Sequence, residues 1–330
     1  MKTIRFGIVG TGTIAHRFAQ AIRGVPGVEL AAVASRGKQT GDAFAAEFGI
    51  PRVFVGYETM ARSDAIDAAY IAVPHSGHCA CSCLMLQNGK HVLCEKPMAV
   101  TAGEGERMFR AAKENGVLLM EAMWARLVPG TLKMLELVQN GVLGDIRGAE
   151  GKFCYTMDED EMDHHVFRPE HGGGALLDVG VYGLHFAQWY LGRDVRTIDA
   201  RAVLYGGVDA HTCLLVQYAS GAIADLSAAI LLRKPNEGYV YGSKGYAYLP
   251  RFYAPQRIEL HLNGQDAQTI ETPYAGNGFE EQIAHFRDCV LQGQGESPVV
   301  TPADTLYVLR QMDAIRKKIG VRYPQDSAAD

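Results

Sequence analysis

A lysine that follows a buried strand is the first candidate for chemistry in this chain. Lys96 stands between Glu95 and Pro97, directly after the apolar residues 92–94, which predict the end of a strand. Ordinary turn formation also explains such a tripeptide. In a parallel sheet, however, ligands bind beyond the carboxyl ends of the strands. Lys96 is therefore a candidate ligand-binding residue.

A second set of polar groups lies in the apolar segment 171–192, which has three glycines near its start. Asp178, Tyr182 and His185 are spaced so that they share one face of a helix. An acid, a phenol and an imidazole are costly to bury without a function, although single buried tyrosines and histidines are usually structural. The spacing therefore predicts a candidate site on this face.

The motif "GIVGTGTIA" follows the first apolar run and opens a helix-like segment. Gly10, Gly12 and Ala15 match a fingerprint that allows a tight turn, close approach of a pyrophosphate and close helix packing. The amino end of the helix, at Thr13 and Ile14, would bind the anion. A glycine loop without a ligand is the alternative, but this strand–loop–helix context predicts a dinucleotide site.

The end of the second strand indicates which dinucleotide binds. NAD-binding folds usually carry an acid there, about 20 residues after the loop, to accept from the ribose hydroxyls. This chain has Ser35 and Arg36 instead, with Lys38 close behind. An arginine offers paired donors and a fixed charge to the 2′-phosphate of NADP, whereas the alternative is a solvated loop arginine. We expect NADP, with NAD as the alternative.

These residues require elements that position them, and the first part of the chain alternates short apolar runs with helix-patterned segments. Runs that are apolar along their whole length indicate strands buried on both faces, and the alternation predicts a parallel sheet covered on both sides. Thr101, with Glu104 three residues later, predicts a capped helix start. We expect a doubly wound Rossmann domain over residues 1–121. The predicted strands are 4–10, 28–34, 68–73, 91–94 and 116–121, and the predicted helices are 13–22, 40–49, 78–89 and 101–116.

The pattern changes after about residue 122, where strand-like segments become frequent. A Ser-Gly pair at 220–221 between two apolar runs is a hairpin signal. We expect residues 122–330 to form an α+β domain with a largely antiparallel open sheet. Its predicted helices are 127–140, 174–191, 277–292 and 302–319.

Composition limits the classes of function. Of the 330 residues, 48% are apolar and 21% charged, and the net charge is −5. No cluster of Lys and Arg suits nucleic acid, and no run approaches the ~18 apolar residues of a membrane span. The start lacks the pattern of a secretory signal, and seven cysteines without a framework spacing fit free thiols. We expect a cytoplasmic protein that binds neither nucleic acid nor membranes.

Two further segments invite a functional interpretation that the residues do not support. Asp163, His164, His165 and His171 could suggest a metal, but their spacing matches no zinc signature. No metal site is therefore predicted. Segment 244–257 is aromatic and basic, and we predict that it lines a sheet face or a subunit contact.

Four motifs together, "GIVGTGTIA", "CEKPMAVT", "MEAMWARLVP" and "GGGALLDVGVYGLH", resemble the Gfo/Idh/MocA oxidoreductase family over essentially the whole chain. Many members have histidine four residues after the aspartate, where this chain has Tyr182. That difference, with "MEAMWAR", resembles the subgroup of dimeric trans-1,2-dihydrodiol dehydrogenase, NADP-dependent D-xylose dehydrogenase and glucose–fructose oxidoreductase. The family often has a cis peptide bond between Lys96 and Pro97.

The resemblance implies hydride transfer between a nicotinamide cofactor and a secondary alcohol of a sugar, polyol or cyclic dihydrodiol. It implies that Lys96 and Tyr182 carry the chemistry. An unperturbed tyrosine, with a pKa of about 10, is a poor base near neutrality, and a lysine beside it favours the phenolate. We assign Tyr182 as general acid/base and Lys96 as the orienting cation, although the roles could be exchanged. Asp178 would position Lys96 or a substrate hydroxyl.

The remaining expectations concern contacts and assembly. Phe153 and Trp124 are candidates for the substrate-binding wall, and a homodimer or homotetramer through the second-domain sheet is implied. A regulatory protein that senses the dinucleotide without catalysis is the alternative function. The further candidate cofactor-binding residues, taken from the strand ends and the "MWAR" motif, are Pro74, His75, His78, Glu95, Lys96, Trp124 and Arg126.

Overall fold

The structure is a computed structural model that describes residues 3–157 and 164–328, without the side chains of residues 327 and 328. The strands are β1 (Ile4–Val9), β2 (Val28–Ser35), β3 (Arg52–Val55), β4 (Ala68–Ile71), β5 (His91–Glu95), β6 (Leu119–Ala122), β7 (Ile146–Cys154), β8 (Val195–Tyr205), β9 (Val208–Tyr218), β10 (Ile223–Ala229), β11 (Glu237–Gly242), β12 (Gly245–Pro250), β13 (Arg257–Leu262) and β14 (Gln268–Glu271). The helices are α1 (Thr13–Ala21), α2 (Lys38–Phe48), α3 (Tyr57–Ala61), α4 (His78–Gln87), α5 (Ala102–Glu114), α6 (Pro129–Gln139), α7 (Val181–Leu191), α8 (Glu280–Leu291) and α9 (Pro302–Ile319).

The chain divides into two compact units. The first contains the residues up to Trp124 together with Ala275–Leu306, and the second contains Ala125–Tyr274 and the residues from Tyr307 onward. The sequence predicts a single break between residues 121 and 122, and the functional division at that point stays a prediction. Strand and helix patterns do not show that a late segment returns to the first unit.

A six-stranded sheet in the order β3-β2-β1-β4-β5-β6 forms the centre of the first unit, and its neighbouring strands are parallel. Every residue of β4 is buried, as its fully apolar sequence predicts for a strand covered on both faces. The predicted doubly wound sheet is therefore confirmed. The strand order reverses between β1 and β4, and loops beyond the carboxyl ends of strands at such a point bind ligands.

One local prediction is confirmed in this unit, and two of its features were not predicted. The start of α5 is capped as predicted, because Thr101 Oγ1 accepts from the Glu104 amide at 3.2 Å. The sequence did not predict β3, whose four residues are half-buried or exposed and give a weak apolar signal. The sequence also did not indicate that α8 belongs here, where Phe286 packs at 5.6 Å on Phe6 of β1.

The second unit is built on an eight-stranded sheet in the order β14-β13-β12-β11-β7-β10-β9-β8. The β7–β10 pair is parallel and the other neighbours are antiparallel, so the predicted largely antiparallel sheet is confirmed. The predicted hairpin joins β9 to β10, with the Tyr218 amide donating to Ala222 O at 2.9 Å. In the described part of the chain, no helix is both long enough and apolar enough to cross a membrane.

The predicted helix at 174–191 differs from the structure at its start. A π-helical turn, Leu176–Gly180, precedes α7. The hydrogen bonds of a π-turn join residues five apart, so the regular spacing that would align Asp178 with Tyr182 and His185 does not apply. Tyr182 and His185 both lie on α7. The prediction that Asp178 shares a regular helix with them is wrong, because the residue pattern gave no signal for the wider turn.

A buried ion pair near the end of the chain gives a test of stability in the second unit. Arg316 in α9 is 2% exposed and pairs with Asp313 at 2.5 Å and Asp326 at 2.8 Å. We expect Arg316→Met to lower the free energy of unfolding by about 3 kcal/mol, because two partly buried carboxylates lose their counter-charge. Lys133→Met removes the more exposed pair with Glu136 and should change it by less than about 1 kcal/mol. Equal effects in urea denaturation would contradict this explanation.

Candidate active site

The glycine loop after β1 has the backbone geometry that a dinucleotide requires. Gly10 has φ +102°, and a Cβ there would lie 2.5 Å from Ala72 O, so a larger residue does not fit. Gly12 precedes α1, no side chain caps the amino end of that helix, and the space beside Gly12 is open. Thr13 is exposed and Ile14 half-buried. Uncapped helix amides at an open glycine form a suitable site for a pyrophosphate.

The carboxyl end of β2 presents one cation to solvent. Ser35 is buried and its Oγ donates to Gly37 O at 2.6 Å, which fixes the turn. Arg36 is exposed, and within the described ranges no hydrogen bond or ion pair joins its side chain to another residue. Lys38 differs, because its Nζ pairs with Asp42 at 2.5 Å. Arg36 is therefore the better placed of the two cations to meet a phosphate.

His78 links the loops that follow β4 and β5. Its Nδ1 lies 2.9 Å from Pro97 O and its Nε2 lies 2.9 Å from Val73 O. Burial lowers the pKa of His78 to about 4, although both backbone contacts oppose that shift. The ring of His75 is also buried and packs against His78, with 5.6 Å between centroids. The sequence predicts His78 as a cofactor contact, and this stays a prediction. In the structure, both of its ring nitrogens face carbonyl groups of the chain.

Pro74 comes directly before the short 3-10 turn that contains His75. Both residues therefore lie in the loop after β4, as the sequence predicts for a position beyond a strand end. This loop and the loop after β5 leave neighbouring strands at the same edge of the sheet.

The Glu-Lys-Pro segment is held by two buried acids. Glu95 accepts from the Tyr70 hydroxyl and, at 3.1 Å, from the Lys96 amide, and burial raises its pKa. Lys96 is half-buried, and its peptide bond to Pro97 is cis. Glu121 accepts from the Met98 amide at 3.0 Å. The backbone on each side of Lys96 is therefore fixed by a carboxylate.

Sequence reasoning missed Glu121, which also accepts from Thr305 Oγ1 at 2.8 Å. Its position inside a short buried strand resembles that of an isolated core acid, and no motif indicates what it contacts.

Trp124 forms part of an aromatic and cationic group within the first unit. The Arg17 guanidinium lies 4.5 Å from the ring centroid of Phe279 and 5.4 Å from that of Trp124, and the two rings are 5.2 Å apart. Arg17 and Phe279 were missed because they are far apart in sequence. Arg126 belongs to the second unit, where its guanidinium lies 5.9 Å from the ring centroid of Trp189.

In the second unit, the structure groups Tyr182 with other aromatic side chains. Its ring centroid lies 5.4 Å from that of Phe153 and 5.7 Å from that of Tyr253. Phe153 and Tyr253 are stacked at 3.9 Å. Asp178 accepts from the Tyr155 hydroxyl at 2.6 Å. A phenol in an aromatic wall, with an oriented carboxylate on the turn before its helix, suits the recognition of a hydroxylated ring.

Tyr253 was not predicted at this site. The sequence predicts that segment 244–257 lines a sheet face or a subunit contact, which fits Tyr246 and Tyr248, whose rings pack on Tyr239 of the sheet. Tyr253 differs because it follows the end of β12, in a turn where Arg251 adopts a positive φ of 50°. That turn directs its ring to Phe153.

The described residues of the histidine-rich segment do not form a metal site. Asp163 lies outside the described residues. His164 accepts from the Val166 amide, at 3.4 Å. Among the described residues, no group of three or more His, Cys, Asp or Glu could hold a metal ion.

The predicted residues thus fall into two sets. The first unit holds Gly10, Gly12, Thr13, Ile14, Ser35, Arg36, Pro74, His75, His78, Glu95, Lys96 and Trp124, and the second holds Arg126, Phe153, Asp178 and Tyr182.

Comparison with known families identifies the class of protein. Residues 4–123 match the model of an oxidoreductase family with an NAD-binding Rossmann fold, and residues 131–248 match the GFO/IDH/MocA C-terminal domain. The chain belongs to the GFO/IDH/MocA oxidoreductase family. It is an NAD(P)-dependent oxidoreductase, with an NAD-binding Rossmann fold over residues 4–123.

Individual relatives cover nearly the whole chain. Trans-1,2-dihydrobenzene-1,2-diol dehydrogenase of Mus musculus is 34% identical over 98% of this chain and 99% of its own. The 3-ketoreductase KijD10 from Actinomadura kijaniata, crystallised with NADP and TDP-benzene, is 29% identical, with a TM-score of 0.87 over 98% of this chain and 99% of that one. Aldose-aldose oxidoreductase from Caulobacter crescentus, crystallised with glycerol, is 26% identical, with a TM-score of 0.88 over 96% and 97% of the chains.

The buried His78 makes stability depend on pH in a defined direction. The unfolded chain takes up a proton at this histidine near pH 6.5, whereas the folded chain does so only near pH 4. Acid therefore favours unfolding across that window, by an amount on the order of 3 kcal/mol. We expect His78→Asn to flatten the loss of stability between pH 7 and pH 4.

Chemical denaturation of both proteins at several pH values measures this difference. The comparison with the variant is essential, because Asp209, whose pKa is raised to about 6, titrates in the opposite sense over the same window. His171→Asn, at a half-buried histidine of the second unit, is the control. Parallel pH curves for the wild type and His78→Asn would show that His78 does not stay neutral in the fold.

Proposed function

We propose that the protein uses NADP(H) to interconvert a secondary alcohol of a polyhydroxylated ring compound, such as a sugar or cyclic dihydrodiol, and the corresponding ketone. The observation that carries the proposal is the grouping of Tyr182 with Phe153 and Tyr253, in the unit where Asp178 is oriented by Tyr155. This grouping offers a proton-transfer group within an apolar wall. The named substrates of the relatives, a dihydrodiol and an aldose among them, are compounds of this kind.

The roles of the residues follow from their chemistry. A bound nicotinamide supplies the hydride acceptor or donor. Tyr182 takes the hydroxyl proton during oxidation and returns it during reduction. Lys96, held by the loop that Glu95 and Glu121 fix, orients the hydroxyl and favours the tyrosine phenolate. Asp178 accepts from a neighbouring substrate hydroxyl.

The preference for NADP rests on Arg36. It is exposed directly after β2, where an acid would repel the 2′-phosphate, and Lys38 is already paired with Asp42. His75, Pro74 and the glycine loop complete the proposed cofactor site, and His78 contributes by holding the loops together.

We also propose a homodimer or homotetramer formed through the second-unit sheet. One face of β9 and β10 is exposed and includes Leu215 at 52% and Ile223 at 49% of full exposure. A second copy of this chain would remove these side chains from water. The particle mass in solution distinguishes a monomer from the proposed dimer or tetramer. A cytoplasmic location is likewise proposed, from seven cysteines that are all free thiols.

The catalytic assignment is tested by Lys96→Met and Tyr182→Phe. We expect each to lower kcat by about 1,000-fold, because each removes a group that acts on the reacting hydroxyl. NADP binding, followed by nicotinamide fluorescence, should persist. Tyr241→Phe, on the sheet strand β11, is the control. Full activity of both variants would refute the assignment, and tight NADP binding without turnover of any polyol by the wild type would favour the dinucleotide-sensing alternative.

The cofactor preference is tested by Arg36→Ala, with Lys38→Ala as the matched control. Losing the charge-assisted contacts should raise the Kd for NADP about 30-fold and leave that for NAD unchanged. Calorimetric titration with each dinucleotide measures both constants. An Arg36→Ala protein that still prefers NADP as strongly as the wild type would contradict the proposed contact.

A further inference from the structure

A buried carboxylate supports the turn that leads to the candidate catalytic groups. Asp209, near the start of β9, is fully buried. Its Oδ2 accepts from the Leu176 amide at 2.7 Å and from Thr212 Oγ1 at 2.6 Å. Leu176 is the first residue of the π-helical turn that contains Asp178. The carboxylate therefore binds the backbone at the point where the turn begins.

The triple-glycine segment is shaped around the same carboxylate. Gly174 has φ +109°, and a Cβ there would lie 2.3 Å from Asp209 Oδ1. Gly174 O in turn accepts from the Asp178 amide at 3.0 Å. A glycine is thus required for Asp209 to approach the backbone closely, and the next hydrogen bond along that backbone holds Asp178.

The end of the chain holds the neighbouring glycine from a different direction. The Tyr323 hydroxyl donates to Gly173 O, and the Tyr323 amide donates to Asp326 at 2.8 Å. Arg316 lies 4.9 Å from the centre of the Tyr323 ring and pairs with Asp326. Asp209 packs closely against Gly174, and this C-terminal group holds the preceding residue, Gly173.

Ionisation of Asp209 does not stabilise the fold, so a gain in stability does not explain why this carboxylate is buried. Burial raises the pKa of Asp209 to about 6, although Thr212, the Leu176 amide and Arg316 all oppose that rise. Because the folded pKa exceeds the unfolded value, the ionised group lowers stability above about pH 6. Tyr323 is a further titratable group that interacts with Asp209, and it also interacts with Asp326. A charged group retained at a cost in stability indicates a positional role.

We propose that Asp209 is a positioning residue that fixes the start of the π-helical turn and so sets the orientation of Asp178 and Tyr182. This role rests on the proposed function of those two groups. Asp209 has no contact with the reacting atoms in this scheme. It acts through its hydrogen bond with the Leu176 amide and its close packing against Gly174.

The main experiment compares Asp209→Ala with Asp209→Asn. We expect Asp209→Ala to lower kcat about 100-fold, as a displacement near 1 Å does, with little change in the Kd for NADP, whose proposed binding residues, apart from Arg126, lie in the first unit. Asp209→Asn keeps an oxygen acceptor for Leu176 and Thr212. Its kcat should therefore be at least about tenfold higher than that of Asp209→Ala. Its melting temperature should be no lower than that of the wild type.

Amide hydrogen exchange tests the position of the turn without any substrate. Asp209→Ala should speed exchange in a peptide covering Leu176–Tyr182 by at least about tenfold, because one charge-assisted hydrogen bond is lost. This measurement separates the two proposals. If the wild type converts no polyol but the exchange changes as stated, the proposed function fails and the support of the turn by Asp209 stands.

Thr212→Val and Tyr323→Phe give the same test with smaller changes, in case Asp209→Ala folds poorly. Each should raise exchange in the Leu176–Tyr182 peptide and lower kcat more than it raises the substrate KM. Unchanged exchange in all variants would overturn the proposal. So would an Asp209→Asn protein as inactive as Asp209→Ala, because the acceptor oxygen would then be irrelevant.

Discussion

Both segments that carry the candidate catalytic groups leave regular secondary structure while buried, so their backbone amides and carbonyls need partners from elsewhere in the chain. Buried side chains supply them. Glu121 and His78 bind the backbone around Lys96, and Asp209 binds the turn before Tyr182. Each unit thus uses buried ionisable groups of its own to hold the backbone next to its candidate catalytic residues. Proton transfer depends on that rigidity, because the acid and base must keep their distance to the substrate.

Much of this arrangement could be predicted from the amino-acid sequence. Fully apolar strands such as β4 predict the parallel sheet, since only burial on both faces tolerates that composition. Gly10 and Gly12 predict the dinucleotide loop because both the tight turn and the close approach exclude a side chain. The resemblance implied Lys96 and Tyr182 as a pair, and the family models match residues 4–123 and 131–248, which contain both residues.

The rest depends on contacts between residues distant in sequence. The π-helical turn at Leu176–Gly180 breaks a periodicity that looks regular, and Tyr253 reaches Phe153 only because of the turn at Arg251. Asp209 lies in a strand with alternating burial, where nothing marks it as different from a surface acid. The contacts of these residues form only in the folded chain, so no local pattern in the sequence indicates them.

The central claim is that Lys96 and Tyr182 act together on one hydroxyl group. A crystal structure of the protein with NADP and a bound polyol tests it most directly. The account predicts that Lys96 Nζ and Tyr182 Oη both lie within about 3.5 Å of the same substrate oxygen. Side chains that point into separate cavities, or a substrate oxygen bound by neither group, would contradict it.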